Sequence, residues 1–136
     1  SPPPAAPLWT LTQALQVVFA GLLEGRARPG IEVTRAGSAP VIERGGVTIR
    51  ILSPAEAVGE NEVYDLVFAP GAALVSDPHG PGCREHLTVI EGRLRVTSGG
   101  EAEDLGPGDV ARYPADRDHE IAATGAARAI LIVQGS

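Results

Sequence analysis

Apolar and polar residues follow two rhythms along this chain. From Thr10, which suits a helix N-cap, Leu11, Ala14, Leu15, Val18, Leu22 and Leu23 recur at helical spacing until Gly25. This is the pattern of one amphipathic helix. A helix of that length is marginal in water, so its apolar face needs a partner, either the rest of the chain or a helical domain from which it has been separated. Residues 1–7, mostly Pro and Ala, read as an extended, flexible lead.

After Pro29-Gly30 the period drops to two. Short β-rich runs at 31–35, 41–43, 47–52, 63–69 and 73–76 are separated by Gly, Pro, Asn and Asp, and 87–90, 94–97, 102–105, 110–113, 120–123 and 127–133 continue the series. About ten strands at this spacing, with no second helix, predict an all-β antiparallel sandwich or barrel. Gly99-Gly100 and Gly108-Asp109 read as tight hairpin turns. Strand parity sets Glu85 on one face with Leu87 and Val89, and His86 on the other with Thr88 and Ile90, so only one of the adjacent pair turns inward. Arg93 and Arg95 oppose Leu94 and Val96 in the same way.

Composition narrows the class. With 136 residues and 43 % hydrophobic content, the chain supports one compact domain with its own core. The net charge of −6 works against unaided binding to a phosphate backbone, which requires clustered cations. A single cysteine, Cys83, excludes an internal disulfide and a zinc site built on several cysteines, and it fits a reducing cytoplasm. No apolar run approaches the ~20 residues of a membrane span and no signal peptide is visible, so a soluble cytoplasmic protein is expected. All 11 basic residues are Arg, Met is absent and the chain opens Ser-Pro-Pro-Pro, which reads as a piece of a longer protein.

The candidate chemistry lies in two stretches, 79–92 and 106–119, which hold all three histidines. Neutral imidazole and carboxylate suit Zn, Fe, Ni or Mn, and a facial pair of His with one carboxylate leaves positions open for a further ligand. Tyr113, at the end of its strand, is placed either to hydrogen-bond a ligand or to pack in the core. Arginines including Arg84 and Arg112 would make an anion site if they lined the barrel mouth. Cys83, in a Gly-Pro-rich loop beside Arg84, reads as an inert surface thiol, the alternative being a thiol acidified by that arginine. No Ser-His-Asp or Cys-His context suggests nucleophilic catalysis, and no catalytic residue is assigned.

Together these stretches resemble the paired signature of the cupin superfamily. Of its first motif, His79 falls on the first His, Glu85 on the Glu and Gly92 on the closing Gly, while Pro81 stands where the second His belongs. Of its second motif, Gly108, Pro114 and His119 match, with Asp116 in place of Gly and Ala123 in place of Asn. The resemblance implies a double-stranded β-helix, or jelly-roll, barrel over residues 30–136. It also implies a divalent transition metal on His79, Glu85 and His119. His86 would substitute if a bulge shifted the parity. A hydrogen-bonded pocket without an ion is the other reading. His86, Tyr113 and Arg84 are the expected contacts to a bound molecule.

Residues 85–92 and 113–119 are similar to the C-terminal cupin of bacterial XRE-type helix-turn-helix regulators, and residues 8–23 resemble the last helix of their DNA-binding domain. By that resemblance residues 1–29 are a lead and the end of a truncated helix-turn-helix domain. The function implied is an effector-sensing cupin domain: a small molecule in the barrel controls DNA binding, which occurs only through a helix-turn-helix domain missing from this chain. A homodimer would match a palindromic operator. The competing expectation is a small metal-dependent cupin enzyme, a dioxygenase, isomerase or lyase.

Overall fold

The computed structural model describes Leu15 and residues 30–135. Ten strands follow in chain order: β1 (Val41–Arg44), β2 (Val47–Ile51), β3 (Asn61–Phe68), β4 (Ala73–Ser76), β5 (Arg84–Glu91), β6 (Leu94–Ser98), β7 (Glu101–Leu105), β8 (Val110–Pro114), β9 (His119–Ala123) and β10 (Ala127–Gln134). All pairings are antiparallel. They form a six-stranded sheet of order β1-β2-β3-β10-β5-β8 and a four-stranded sheet of order β4-β9-β6-β7. The expected all-β jelly-roll architecture is what the chain adopts.

The two sheets face one another because each strand presents every second side chain to the same interior. In β2, Val47, Ile49 and Ile51 are buried while Thr48 and Arg50 point outward; Tyr64, Leu66 and Phe68 of β3 and Ala127, Ala129, Leu131 and Val133 of β10 continue that surface. From the opposing sheet Leu74, Leu94, Val96, Ile121 and Ala123 complete one core. Each large aliphatic side chain removed from water there contributes roughly 1.5–3 kcal/mol.

The run at 31–35 is not a strand. Its alternation is real, but among the described residues no strand pairs with it, and its apolar members Ile31 and Val33 are 82 % and 57 % exposed. The run at 87–90 was also too short, since β5 begins at Arg84. Sequence pattern places no helix between strands, yet Ala55–Ala57 form one turn of 3-10 helix after Pro54. The expected helix lies outside the described residues except for Leu15, which is helical, half-buried and packed against the core.

Gly99 makes the expected hairpin between β6 and β7. The turn at Gly108-Asp109 does something else: it carries the chain from β7 in one sheet to β8 in the other. Its amides and carbonyls are taken up by β5, with Gly108 N–H donating to the Val89 carbonyl at 2.8 Å and Val89 N–H donating to the Asp109 carbonyl at 3.0 Å. Asp109 Oδ2 closes the turn by accepting from Gly106 N–H at 2.8 Å.

Candidate metal centre

Glu85 is the second residue of β5, and the parity that buries Leu87 and Val89 also turns its carboxylate inward, leaving it 2 % exposed. Across the sheet it shares an inner row with Val133 on β10 and Tyr113 on β8. Tyr113 Oη donates to Glu85 Oε1 at 2.7 Å. The second carboxylate oxygen, Oε2, faces two histidines. His119, the first residue of β9, brings Nε2 to 3.1 Å, and His79, in the loop after β4, brings Nδ1 to 3.8 Å. The two imidazole rings meet edge to face, with centroids 4.8 Å apart.

Hydrogen bonding decides the protonation of His119. Its Nδ1 lies 2.7 Å from the Arg117 carbonyl, a group that only accepts, so Nδ1 carries hydrogen. Nε2 then faces the carboxylate either as a lone pair or through a proton lying between them. Burial alone would lower the pKa of His119, but the hydrogen bond to Glu85 and its charge outweigh burial and raise it. A cation at this position would take the place of that proton, meeting the same lone pair and the same oxygen. His79 behaves differently: burial, only partly opposed by Glu85 and reinforced by His119, lowers its pKa from 6.5 to about 4, which leaves a neutral imidazole at neutral pH. Tyr113 is raised well above the ordinary phenol value by burial and by Glu85, so it remains a donor.

One donor atom from each of His79, Glu85 and His119 fits within 4.8 Å of the others, and all three side chains are buried. Two imidazole nitrogens and one carboxylate oxygen, all on buried side chains, form a set that borderline divalent transition ions accept. The residues present therefore fit the metal that the fold implies. That ion would bring positive charge and open coordination positions to the end of the cavity.

The loop carrying His79 is held by the β8–β9 connection. His79 N–H donates to the Ala115 carbonyl at 2.8 Å, Ala115 N–H donates to the Cys83 carbonyl at 2.8 Å, and Gly82 N–H donates to Asp116 Oδ2 at 3.1 Å. Asp116, a departure from the cupin pattern, thus has a specific task in this chain: its carboxylate ties the first motif to the second.

Beside the three donors lies a small cavity, open at its mouth and lined mainly by apolar side chains, Ile49, Leu66, Leu74, Ile121, Leu131 and Val133, together with Tyr64, Ser76 and the three donors. Of the residues expected to contact a ligand, Tyr113 reaches this site through Glu85. Arg84 is exposed on the outer face of β5, and His86 is half-buried on the same face beside Ile132 and Arg112, so neither lines the cavity. Among the described residues no arginine lines it, so those arginines form no anion site there.

Two residues of this region were misread or missed. Ser76 lines the cavity from the end of β4, where nothing in the local pattern marks it. Cys83 is not a surface thiol but fully buried, with Sγ 3.5 Å from His79 Nδ1. Burial first, then the charges of Glu85, Glu62 and Asp116, raise its pKa to about 11, the reverse of acidification by Arg84. The parity of β5, extended back two residues from Glu85, would have turned Cys83 inward.

The fold, the inward His and Glu donors and the motif spacing define a cupin, and residues 64–134 match the family model described as "Cupin domain". The chain belongs to that family. It is 30 % identical over 119 residues to the HTH-type transcriptional regulator SutR of Escherichia coli (strain K12), an alignment covering 88 % of this chain and 64 % of that protein. The chain thus spans a little under two-thirds of the length of this curated relative. Among solved structures, the Cupin_2 domain of an XRE family transcriptional regulator from Enterobacter cloacae is similar at 25 % identity and a TM-score of 0.60, over 65 % of this chain and 96 % of that one. Ectoine synthase from P. lautus shares the fold at 16 % identity and a TM-score of 0.62, over 77 % of this chain and 78 % of that one. No helix among the described residues is long and apolar enough to cross a membrane.

Proposed function

We propose that this chain is the effector-sensing cupin domain of a bacterial transcriptional regulator. Its cavity takes up a small, largely apolar molecule whose polar end meets a divalent transition ion, Zn, Fe, Ni or Mn, on His79, Glu85 and His119. The observation that carries this reading is the placement of three buried donors at the end of an apolar cavity, in a chain whose relative of 30 % identity is a helix-turn-helix regulator. Among the described residues no arginine lines the wall, so an ion on the three donors would supply the positive charge for a ligand's anionic end. DNA is contacted through a separate helix-turn-helix domain, and the regulator acts as a cytoplasmic homodimer on a two-fold operator. Binding in the barrel biases that domain by a coupling of about 1–3 kcal/mol, a 5- to 150-fold change in operator affinity.

The test is to recover the chain from its bacterial host and analyse it by elemental analysis and native mass spectrometry. The expected result is a dimer with about one transition ion per chain and a small organic molecule, both lost in His79→Ala and His119→Ala. A chain that takes up neither under any loading condition overturns the reading. A second reading, a small metal-dependent dioxygenase, isomerase or lyase, is favoured by the Tyr113–Glu85–His119 chain, which is placed to move a proton beside the cavity. Chemical conversion of the recovered molecule, rather than its release unchanged, selects it.

A further inference from the structure

The two oxygens of the Glu85 carboxylate have different neighbours. Oε2 faces the histidines, 3.1 Å from His119 Nε2 and 3.8 Å from His79 Nδ1. Oε1 accepts from the Tyr113 hydroxyl at 2.7 Å. A carboxylate ligates an ion through one oxygen or through both, and that choice decides how many coordination positions the protein consumes. Here it separates an ion with a position open to the cavity from one whose positions are filled by its own side chains.

The fold places the phenol where it bears on this choice. Glu85 and Tyr113 stand directly opposite one another across β5 and β8, and strand parity turns both side chains inward. Facing residues of an antiparallel pair are close neighbours, so the contact is built into the register of the sheet. An ionised carboxylate only accepts, so the phenol donates, and such a charge-assisted bond is stronger than a neutral one. Both residues are buried, where a partner given up is not replaced by solvent. Drawing Oε1 onto an ion as a second ligand therefore competes with the phenol for the same oxygen. On the other side His119 is fixed as well, because its Nδ1 is tied to the Arg117 carbonyl and its Nε2 is left facing Oε2.

We infer that Tyr113 is a positioning residue of the metal centre: it holds Glu85 to ligation through Oε2 alone and so keeps a coordination position open for the polar end of a molecule in the cavity. The inference rests on the reading that His79, Glu85 and His119 hold an ion, and adds to it a division of labour within the carboxylate. Three protein atoms then fill three positions, and a four-coordinate ion has its fourth available to a ligand. Without the phenol, Oε1 is released, and chelation by both oxygens takes that position from the protein's side.

Infrared difference spectra of the chain carrying carboxyl-labelled glutamate, zinc-loaded minus zinc-free with zinc in excess, test this. The antisymmetric and symmetric carboxylate stretches lie far apart when one oxygen ligates and close together when both do. The expected separation is wide in the unaltered chain and narrower in Tyr113→Phe. Azide, added to the Co(II)-loaded chains as a probe of the open position, should perturb the visible bands of the unaltered chain and require a higher concentration in the variant. A loss of packing or stability alone would not narrow the separation. A narrow separation in the unaltered chain overturns the inference and leaves the three-donor site intact. Equal separations, or equal azide affinities, in the two chains overturn the role of Tyr113. An unaltered chain that takes up no zinc and no cobalt overturns the metal reading, and this inference with it. The first spectrum is read in the unaltered chain, so a Tyr113→Phe chain that fails to fold still leaves single-oxygen ligation open to disproof.

Discussion

His119 Nε2 and Glu85 Oε2 lie 3.1 Å apart inside the barrel, while the other nitrogen of His119 is tied to the Arg117 carbonyl. The ring therefore cannot turn away from the carboxylate without giving up a second hydrogen bond. Removing either partner leaves a buried hydrogen-bonding atom of the other without its mate. His119→Ala should cost about 3–5 kcal/mol in chelator-treated protein, read as a fall in the urea midpoint at unchanged slope. Glu85→Gln, which keeps an acceptor oxygen and the side-chain volume, should cost less. Equal losses in the two variants would argue that the pair is not the stabilising element.

Tyr113 gives an independent measure of the same carboxylate. Its hydroxyl donates to Glu85 Oε1 at 2.7 Å, and Tyr113→Phe removes that single bond with almost no change in packing. The expected loss is about 1–3 kcal/mol, the cost of leaving a buried acceptor without its donor. Because the variants at 113 and 119 act on one carboxylate, their effects should not add. Urea unfolding of the double variant tests this, and strict additivity would contradict a shared network.

Much of this arrangement was legible in the sequence, for reasons that particular residues make plain. Period-two alternation is strong wherever one face is buried, so β2, with Val47, Ile49 and Ile51, and β5, with Glu85, Leu87 and Val89, could be read together with their facing. The run at 31–35 carries the same signal without a partner strand among the described residues, and alternation alone does not report pairing. Gly-Asp at 108–109 signals a turn but not which sheet receives the chain. His79 sits in a Gly-Pro-rich loop with no period to orient it, and only its match to a motif singled it out. Cys83 was hidden by its neighbours Pro81, Gly82 and Arg84, which look like surface, although the parity of Glu85 already pointed it inward.

Metal binding should stabilise the fold measurably. An ion that binds the folded state at a free concentration one hundred times its dissociation constant adds about 2.7 kcal/mol. Zn(II) should therefore raise the thermal midpoint of the unaltered chain, and His79→Ala should abolish most of that rise. His86→Ala should leave it unchanged, because His86 lies on the outer face of β5. Equal behaviour of the two histidine variants would be incompatible with the site described.

Asp116 predicts a pH dependence of definite sign. The amide of Gly82 lowers its pKa below the ordinary 3.8, burial opposes this, and Arg117 assists. The folded state then holds Asp116 ionised where the unfolded chain has begun to bind a proton. Its contribution is fully present above the unfolded value and is lost as pH falls through the folded one. Asp116→Asn cannot ionise, so its stability relative to the unaltered chain should be poorest at neutral pH, with the gap closing in acid. Urea midpoints over a descending pH series check this, and a gap that widens in acid would reverse the assignment.

Gly92 closes the first motif for a reason that is mechanical. It follows β5 with φ of +76°, and a Cβ there would run into the Ala126 carbonyl and Ala127, where the last loop approaches before β10 begins. Gly92→Ala must meet the left-handed penalty of about 1–2 kcal/mol and in addition push the 126–127 backbone away. That displacement falls beside the register shift between Arg128 and Ala129, where β10 pairs with β5. The expected loss therefore exceeds the backbone term alone, while Gly100→Ala, which meets open space, should stay close to the unaltered chain. Thermal unfolding of the two variants side by side separates the steric cost at Gly92 from the general effect of replacing a turn glycine; similar midpoints would show that the close approach at Ala126 relaxes freely.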